Sequence, residues 1–150
     1  MVESSHKNQP LPIPPLELQR LVGFEDVSSF DNPIDETLFP ELSSELYNSV
    51  LDFGCGCGRL ARWLIQQRPQ PNNYVEIALH SGMIDWCREN LLPHAPNFSF
   101  HHQDIYNATL NPEGKRIVEA FPVDDGVIDL VIAWSVFTHL NEAAAGFLPE

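Results

Sequence analysis

The chain has 150 residues, 43% hydrophobic and 19% charged, a balance that suits a soluble globular domain with its own core. Eight basic residues against 21 acidic ones give a net charge of −13, which speaks against a phosphate-neutralising face and so against nucleic acid as a partner. No apolar run approaches the roughly 20 residues that span a bilayer, and the polar opening Met1–Pro10 lacks the apolar stretch of a secretory signal. No membrane partner and a cytoplasmic location are therefore expected.

Residues 1–48 read as an arm. Six of the 13 prolines fall by position 40, and Leu11-Pro12-Ile13-Pro14-Pro15 suits neither a helix interior nor a central strand. Pro15 can open a short helix over Leu16–Val22 that stops at Gly23, and Glu41–Tyr47 reads as a second helix. The arm either caps a pocket or lies on the surface.

From Ser49 the pattern alternates. A strand is expected over 49–53, a helix over 57–67 and a turn over 69–73. A second strand follows over Tyr74–Leu79, then a helix over 81–92 with Ser81 as N-cap. A third strand covers Phe98–His102. Asp104 to Gly126 is a long connection with a turn at Asn111-Pro112-Glu113-Gly114. The almost wholly apolar run Val127–Trp134 reads as a fourth strand covered on both faces, and a last helix starts near Asn141. The fold class is α/β: a doubly wound Rossmann-like sheet, incomplete, with about four parallel strands and flanking helices. Residues 49–150 form this domain.

Ser49-Val50-Leu51-Asp52-Phe53-Gly54-Cys55-Gly56-Cys57-Gly58-Arg59-Leu60 is the most informative stretch. An apolar strand runs into three alternate glycines and then a helix. Glycine accepts positive φ and lets backbone approach a ligand, and the helix start offers free N–H groups. In such sheets ligands sit beyond the carboxyl ends of the strands. The spacing is G-x-G-x-G, with Arg59 where a dinucleotide fingerprint would have its last glycine, and no Walker G-K-S/T is present. The odd count of three cysteines, Cys55, Cys57 and Cys87, argues against a disulfide framework. With no second cysteine pair there is no zinc pattern, no metal is expected, and Cys55 and Cys57 read as small side chains packed around the loop.

Val50–Arg59 resembles the first motif of class I S-adenosylmethionine-dependent methyltransferases. The resemblance continues in Met83–Asn90, in Phe121-Pro122 to Asp129, and in Asp129-Leu130-Val131-Ile132-Ala133-Trp134-Ser135-Val136-Phe137-Thr138-His139-Leu140. It covers about residues 49–140 and implies S-adenosyl-L-methionine as cofactor. By position, Gly54, Gly56 and Gly58 would line its methionine part. Asp52 would hold the loop or meet the amino group through water. Asp104 would accept from the adenine amino group and Ile105 would pack on the adenine ring. Ser135 and Phe137 would face the methyl group and the substrate.

One departure stands out. The family usually has an acidic residue at the end of the second strand to bind both ribose hydroxyls, and this chain has Ala78 there. Glu76 lies two residues earlier on the same face, about 6–7 Å back along the strand, as an awkward buried charge unless paired. His80 is a possible substitute, and Ala78→Asp is expected to tighten cofactor binding. For methyl transfer to oxygen or nitrogen, His139 after the fourth strand is the candidate base. His101 and His102 point to opposite sheet faces, so at most one reaches a given pocket.

No Asn-Pro-Pro-Tyr-type motif follows the fourth strand, which leaves a small-molecule substrate as the expected partner. The motifs specify neither the acceptor nor the oligomeric state. Complete class I enzymes usually add three further strands, so the chain reads as the amino-terminal portion of a longer enzyme. The alternative is a degenerate or truncated non-catalytic binding module, and a nicotinamide-dependent dehydrogenase is a more distant third.

Overall fold

Four parallel strands, β1 (Ser49–Phe53), β2 (Asn73–Ala78), β3 (Phe98–His102) and β4 (Leu130–Ile132), form one sheet in the order β3-β2-β1-β4. The structure is a computed structural model and describes residues 10–23, 26–54, 56–117, 119–134 and 136. Register pairs Asp52 with Glu76 on β2 and with Ile132 on β4, and Glu76 in turn with Phe100 on β3. From β1 the chain steps outward to β2 and β3, then returns to place β4 on the other side of β1. The carboxyl end of β1 is thus the point where the winding reverses, the usual ligand position in an open α/β sheet.

Two helices connect the first three strands: α2 (Arg59–Gln66) and α3 (Ser81–Asn90), with α1 (Leu16–Leu21) in the arm. In α2 the buried apolar residues Leu60, Ala61, Leu64 and Ile65 recur at helical spacing and form one face. Alternation along each strand decides what this face meets. Val50, Tyr74, Ala78, Phe98 and Phe100 point toward the helices and share one core with Leu60, Leu64, Ile84, Cys87 and Leu91. Leu51, Val75 and Ile77 point the other way, against Phe53, Phe121, Val123 and Ile128. The long connection after β3 thus helps cover the second face, and its turn is the expected one, closed by Gly114 N–H donating to the Asn111 carbonyl at 3.1 Å.

Several expectations are corrected. The fourth strand is three residues rather than eight, and it is not covered on both faces: Val131 is 59% exposed. Among the described residues it pairs with β1 alone, which gives way to the glycine loop after Phe53, so the strand stops there although the apolar run continues. Glu41–Tyr47 holds only the 3-10 turn Ser44–Tyr47. Tyr47 is pinned back on Phe39, accepting from its N–H at 2.7 Å, and Ser43 caps the turn. His80, not Ser81, is the N-cap of α3, its Nδ1 accepting from Met83 N–H at 3.2 Å. The helix expected near Asn141 lies outside the described residues. A 3-10 turn at Val27–Phe30, capped by Asp26, was not expected from sequence.

Candidate functional site

The glycine loop begins while still part of the sheet, because Gly54 N–H donates to the Ile77 carbonyl at 2.8 Å. Gly54, Gly56 and Gly58 then adopt φ of 82°, 75° and 78°, which L side chains rarely tolerate. Gly58 is the N-cap of α2. The three glycines face different neighbours. A Cβ on Gly58 would meet Cys87 Sγ and Leu91 Cδ1, both at 2.8 Å, so this glycine lets the start of α2 pack against α3. A Cβ on Gly54 would lie 2.5 Å from Val136, and one on Gly56 would lie 2.5 Å from Val22 and 3.3 Å from Met83 Sδ. Gly54 and Gly56 therefore form a shallow cradle, roofed by one valine from the arm and one from the chain after β4.

The arm is fastened where it roofs the loop. Leu18, Val22 and Phe30 pack with Cys57, Met83 and Leu110. Arg62 of α2 is 2% exposed and ties the arm down from below. Its Nε donates to the Pro12 carbonyl at 2.7 Å, Nη2 to the Leu11 carbonyl at 2.8 Å, and Nη1 to the Phe30 carbonyl and to Asp31 Oδ1, the last at 2.8 Å. Nothing in the sequence singled out Arg62 or Val22. Arg62 lies on the buried face of an amphipathic helix, which is the one signal that could have flagged it.

Beneath the loop lies a buried polar group. Asp52, Glu76, Cys57 and Cys87 are all fully buried. Tyr74 Oη lies 2.7 Å from Asp52 Oδ2 and 3.2 Å from Glu76 Oε2, and Cys87 Sγ lies 3.9 Å from Glu76 Oε1. Glu76 is thus partnered rather than stranded. Burial, with the acidic Glu76 side chain adding to it, pushes the Cys57 thiol up to about 12 and the Cys87 thiol well above its usual range. Cys55 lies outside the described residues.

Asp104 and Ile105 follow β3, past Gln103, whose N–H donates to the Ala78 carbonyl at 2.9 Å. Asp104 Oδ1 accepts from Asn111 Nδ2 at 3.1 Å, and Oδ2 lies 3.8 Å from Lys115 Nζ. The carboxylate holds the following excursion in place while staying 41% exposed, with lone pairs left over. Ile105 is half-buried and its carbonyl also accepts from Asn111. Ala78 is buried in the core, and His80 is committed to capping α3. His102 Nε2 bonds the Leu79 carbonyl at 3.0 Å, while burial, then nearby Arg88, holds His101 below the usual histidine range. Ser135, Phe137 and His139 lie outside the described residues.

Trp134 stacks on Phe39, with Arg59 over its ring at 5.1 Å. A cleft of about 450 Å³ opens at the opposite end of the sheet, among Ser44, Glu45, Asn48, Asn72 and Asp129. Its polar side chains bond one another, Asn72 Nδ2 donating to Asn48 Oδ1 at 2.6 Å and Asn48 Nδ2 to the Asp129 carboxylate Oδ2 at 3.2 Å, and it lies away from the glycine loop. Among the described residues, no group of His, Cys, Asp or Glu could hold a metal ion, and no helix is long and apolar enough to cross a membrane.

An all-parallel sheet with positive-φ glycines at its switch point defines an incomplete Rossmann-like α/β fold. Comparison with known families narrows that class. The family described as "Methyltransferase domain" matches residues 50–150, more than half of the chain, and the chain belongs to it. No solved structure matches the chain.

Proposed function

We propose that the protein is an S-adenosylmethionine-dependent methyltransferase with a small-molecule acceptor. The observation that carries this reading is the cradle. Gly54 and Gly56, both at positive φ and both covered by a valine side chain where a Cβ would stand, lie at the carboxyl end of β1 within the segment that matches the family. A loop of this shape suits the close approach of a ligand's amino-acid part.

In this reading Gly54 and Gly56 hold the methionine portion by backbone. Gly58 shapes the loop from the core side. Asp52 braces the turn and offers negative charge toward an ammonium group. Asp104 accepts from the adenine amino group with the lone pairs left by Asn111 and Lys115, and Ile105 packs on the ring. The bound cofactor would supply an electrophilic methyl group on sulfur together with its own leaving group. The chain's part is then to orient the acceptor and exclude water. Val22 and Phe30 of the arm contribute apolar cover on the loop side. The resemblance assigns Ser135 and Phe137 to the acceptor side, and His139, which follows the fourth strand, is the candidate base. The net charge of −13 favours a small acceptor over nucleic acid.

Calorimetric titration with S-adenosylmethionine, S-adenosylhomocysteine and NAD tests the proposal. Binding of the first two and not of NAD is expected. A folded sample that binds neither sulfur ligand would overturn it.

A further inference from the structure

We infer that Gln19 of the arm is a ligand-binding residue: its side-chain carbonyl Oε1 accepts a hydrogen bond from the ammonium group of an amino-acid-bearing ligand held on the glycine loop. Gln19 lies on α1 and is 4% exposed. Its Nε2 donates to the Pro14 carbonyl at 2.7 Å. That bond fixes which end of the amide is oxygen and turns Oε1 away from the Pro14 carbonyl. Oε1 is buried and, among the described residues, has no hydrogen-bond partner. A buried acceptor without a partner opposes folding, whereas a leucine or methionine would fill the same space with nothing to satisfy. Such an atom calls for a donor that arrives from outside the chain.

The setting of Gln19 locates that donor. Leu18, Gln19 and Val22 form the inward face of the α1 segment, while Leu16, Glu17, Arg20 and Leu21 are exposed. Leu18 and Val22 pack with Phe30, Cys57 and Met83, and Val22 rests on Gly56. Gln19 is thus one helical turn from the residue that touches the loop. The side chains of Leu18, Val22, Phe30 and Met83 have no polar hydrogen to offer Oε1. A carbonyl oxygen takes an N–H or O–H donor and repels a carboxylate or phosphate, which only accept. The inference rests on the methyltransferase reading, in which Gly56 holds the methionine portion of the cofactor and Asp104 and Ile105 hold the adenine end. Within the methionine portion the ammonium is the donor, and its three hydrogens accommodate Gln19 as well as Asp52. Gln19 lies outside residues 50–150, the segment that matches the family, so the family match gives it no role. The arm then recognises the ligand as well as covering it.

Calorimetry on the full chain tests this with two ligands, S-adenosylhomocysteine and its analogue in which hydrogen replaces the amino group. Gln19→Met keeps the length of the side chain and removes the strong acceptor. The variant should bind S-adenosylhomocysteine about tenfold more weakly while its affinity for the deaminated analogue stays at the wild-type level. Gln19→Glu retains an acceptor oxygen and should keep the preference for the amino group. Equal weakening of both ligands in Gln19→Met would confine Gln19 to shaping the arm, and an unchanged preference would leave Oε1 to water; either result overturns the contact. In wild type, the side-chain carbonyl carbon of Gln19 should shift in the NMR spectrum on addition of S-adenosylhomocysteine and much less with the deaminated analogue. Equal or absent shifts would overturn the contact without any variant having to fold. A folded wild-type sample that binds neither ligand would remove the methyltransferase reading and this contact together, whereas binding of both with no preference for the amino group would remove this contact alone.

Discussion

Val22 of the arm rests on Gly56 of the glycine loop so closely that a Cβ on Gly56 would stand 2.5 Å from Val22 Cγ1. The contact joins a segment of proline-rich sequence to the loop that defines the site. It makes the arm part of the wall of the cradle, and Arg62 is the side chain that keeps it there.

Gly56→Ala should therefore cost more than an ordinary glycine substitution. Two terms add: roughly 1–2 kcal/mol for a left-handed L-residue and about 1–3 kcal/mol for overpacking against Val22 and Met83. Gly23→Ala is the internal control, since Gly23 has φ of 77° but nothing within 4 Å of a Cβ. It should pay the conformational term alone. In the double variant Val22→Ala with Gly56→Ala, part of the overpacking term should return. Equal losses at Gly23 and Gly56 in chemical denaturation would show that the arm yields freely.

Arg62→Met keeps the apolar stem of the side chain and removes its donors. The carbonyls of Leu11, Pro12 and Phe30 and the carboxylate of Asp31 lose a buried partner. A loss of about 3 kcal/mol is expected, since each buried acceptor left unsatisfied costs on the order of 1–3 kcal/mol and the exposed side of Asp31 is rescued by water. Limited proteolysis should then cut between residues 10 and 31 well before the sheet domain. Arg62→Lys should restore little, because an ammonium cannot fan donors to several separated acceptors. Proteolysis at the wild-type rate in Arg62→Met would show that the apolar contacts of Leu18, Val22 and Phe30 hold the arm alone.

These two residues also show where sequence reading stops. Phe98-Ser99-Phe100-His101-His102 is legible to the residue because alternation and flanking breaks mark a strand locally. The glycine loop is legible because positive φ restricts residue type. The fourth strand is not, since an apolar run records burial tendency rather than the length of the neighbour it pairs with, and β1 gives way to the glycine loop after Phe53. Arg62 is illegible for a related reason: three of its four acceptors are main-chain carbonyls 32 to 51 residues away, which carry no residue signature. In the site, Asp52 and the glycines stand at the carboxyl end of β1, as their spacing implied. The Asp52–Tyr74–Glu76 cluster emerges only when register brings β1 and β2 side by side.

Ala78→Asp tests the departure from the family pattern, and the structure adds a cost to it. Ala78 is buried in the core with Ile84 and Phe100 around it, so an aspartate placed there must find a partner or be desolvated. The expected outcome is a stability loss of about 1–3 kcal/mol without ligand. On the methyltransferase reading, S-adenosylmethionine affinity in the folded variant should rise by about tenfold through a ribose contact. Unchanged affinity would show that the ribose is held by other groups.

The buried thiols give a pH prediction with a definite sign. Cys57 titrates near 9 in an open chain and is pushed to about 12 in the fold, chiefly by burial. Between those values the unfolded chain releases a proton that the folded one keeps, so unfolding becomes easier as pH rises. The contribution is fully present below about 9 and is lost as pH climbs toward 12. Cys57→Ala should flatten this alkaline decline while leaving the stability curve near neutral pH shifted by a constant. The same burial should make Cys57 and Cys87 inert to a thiol reagent at mildly alkaline pH until the protein unfolds. That measurement is best made in a Cys55→Ser background so that only these two report. Fast labelling of either thiol in the folded protein would mean that the floor of the glycine loop opens to solvent, and the closed arrangement of Gly58 against Cys87 would then have to be abandoned.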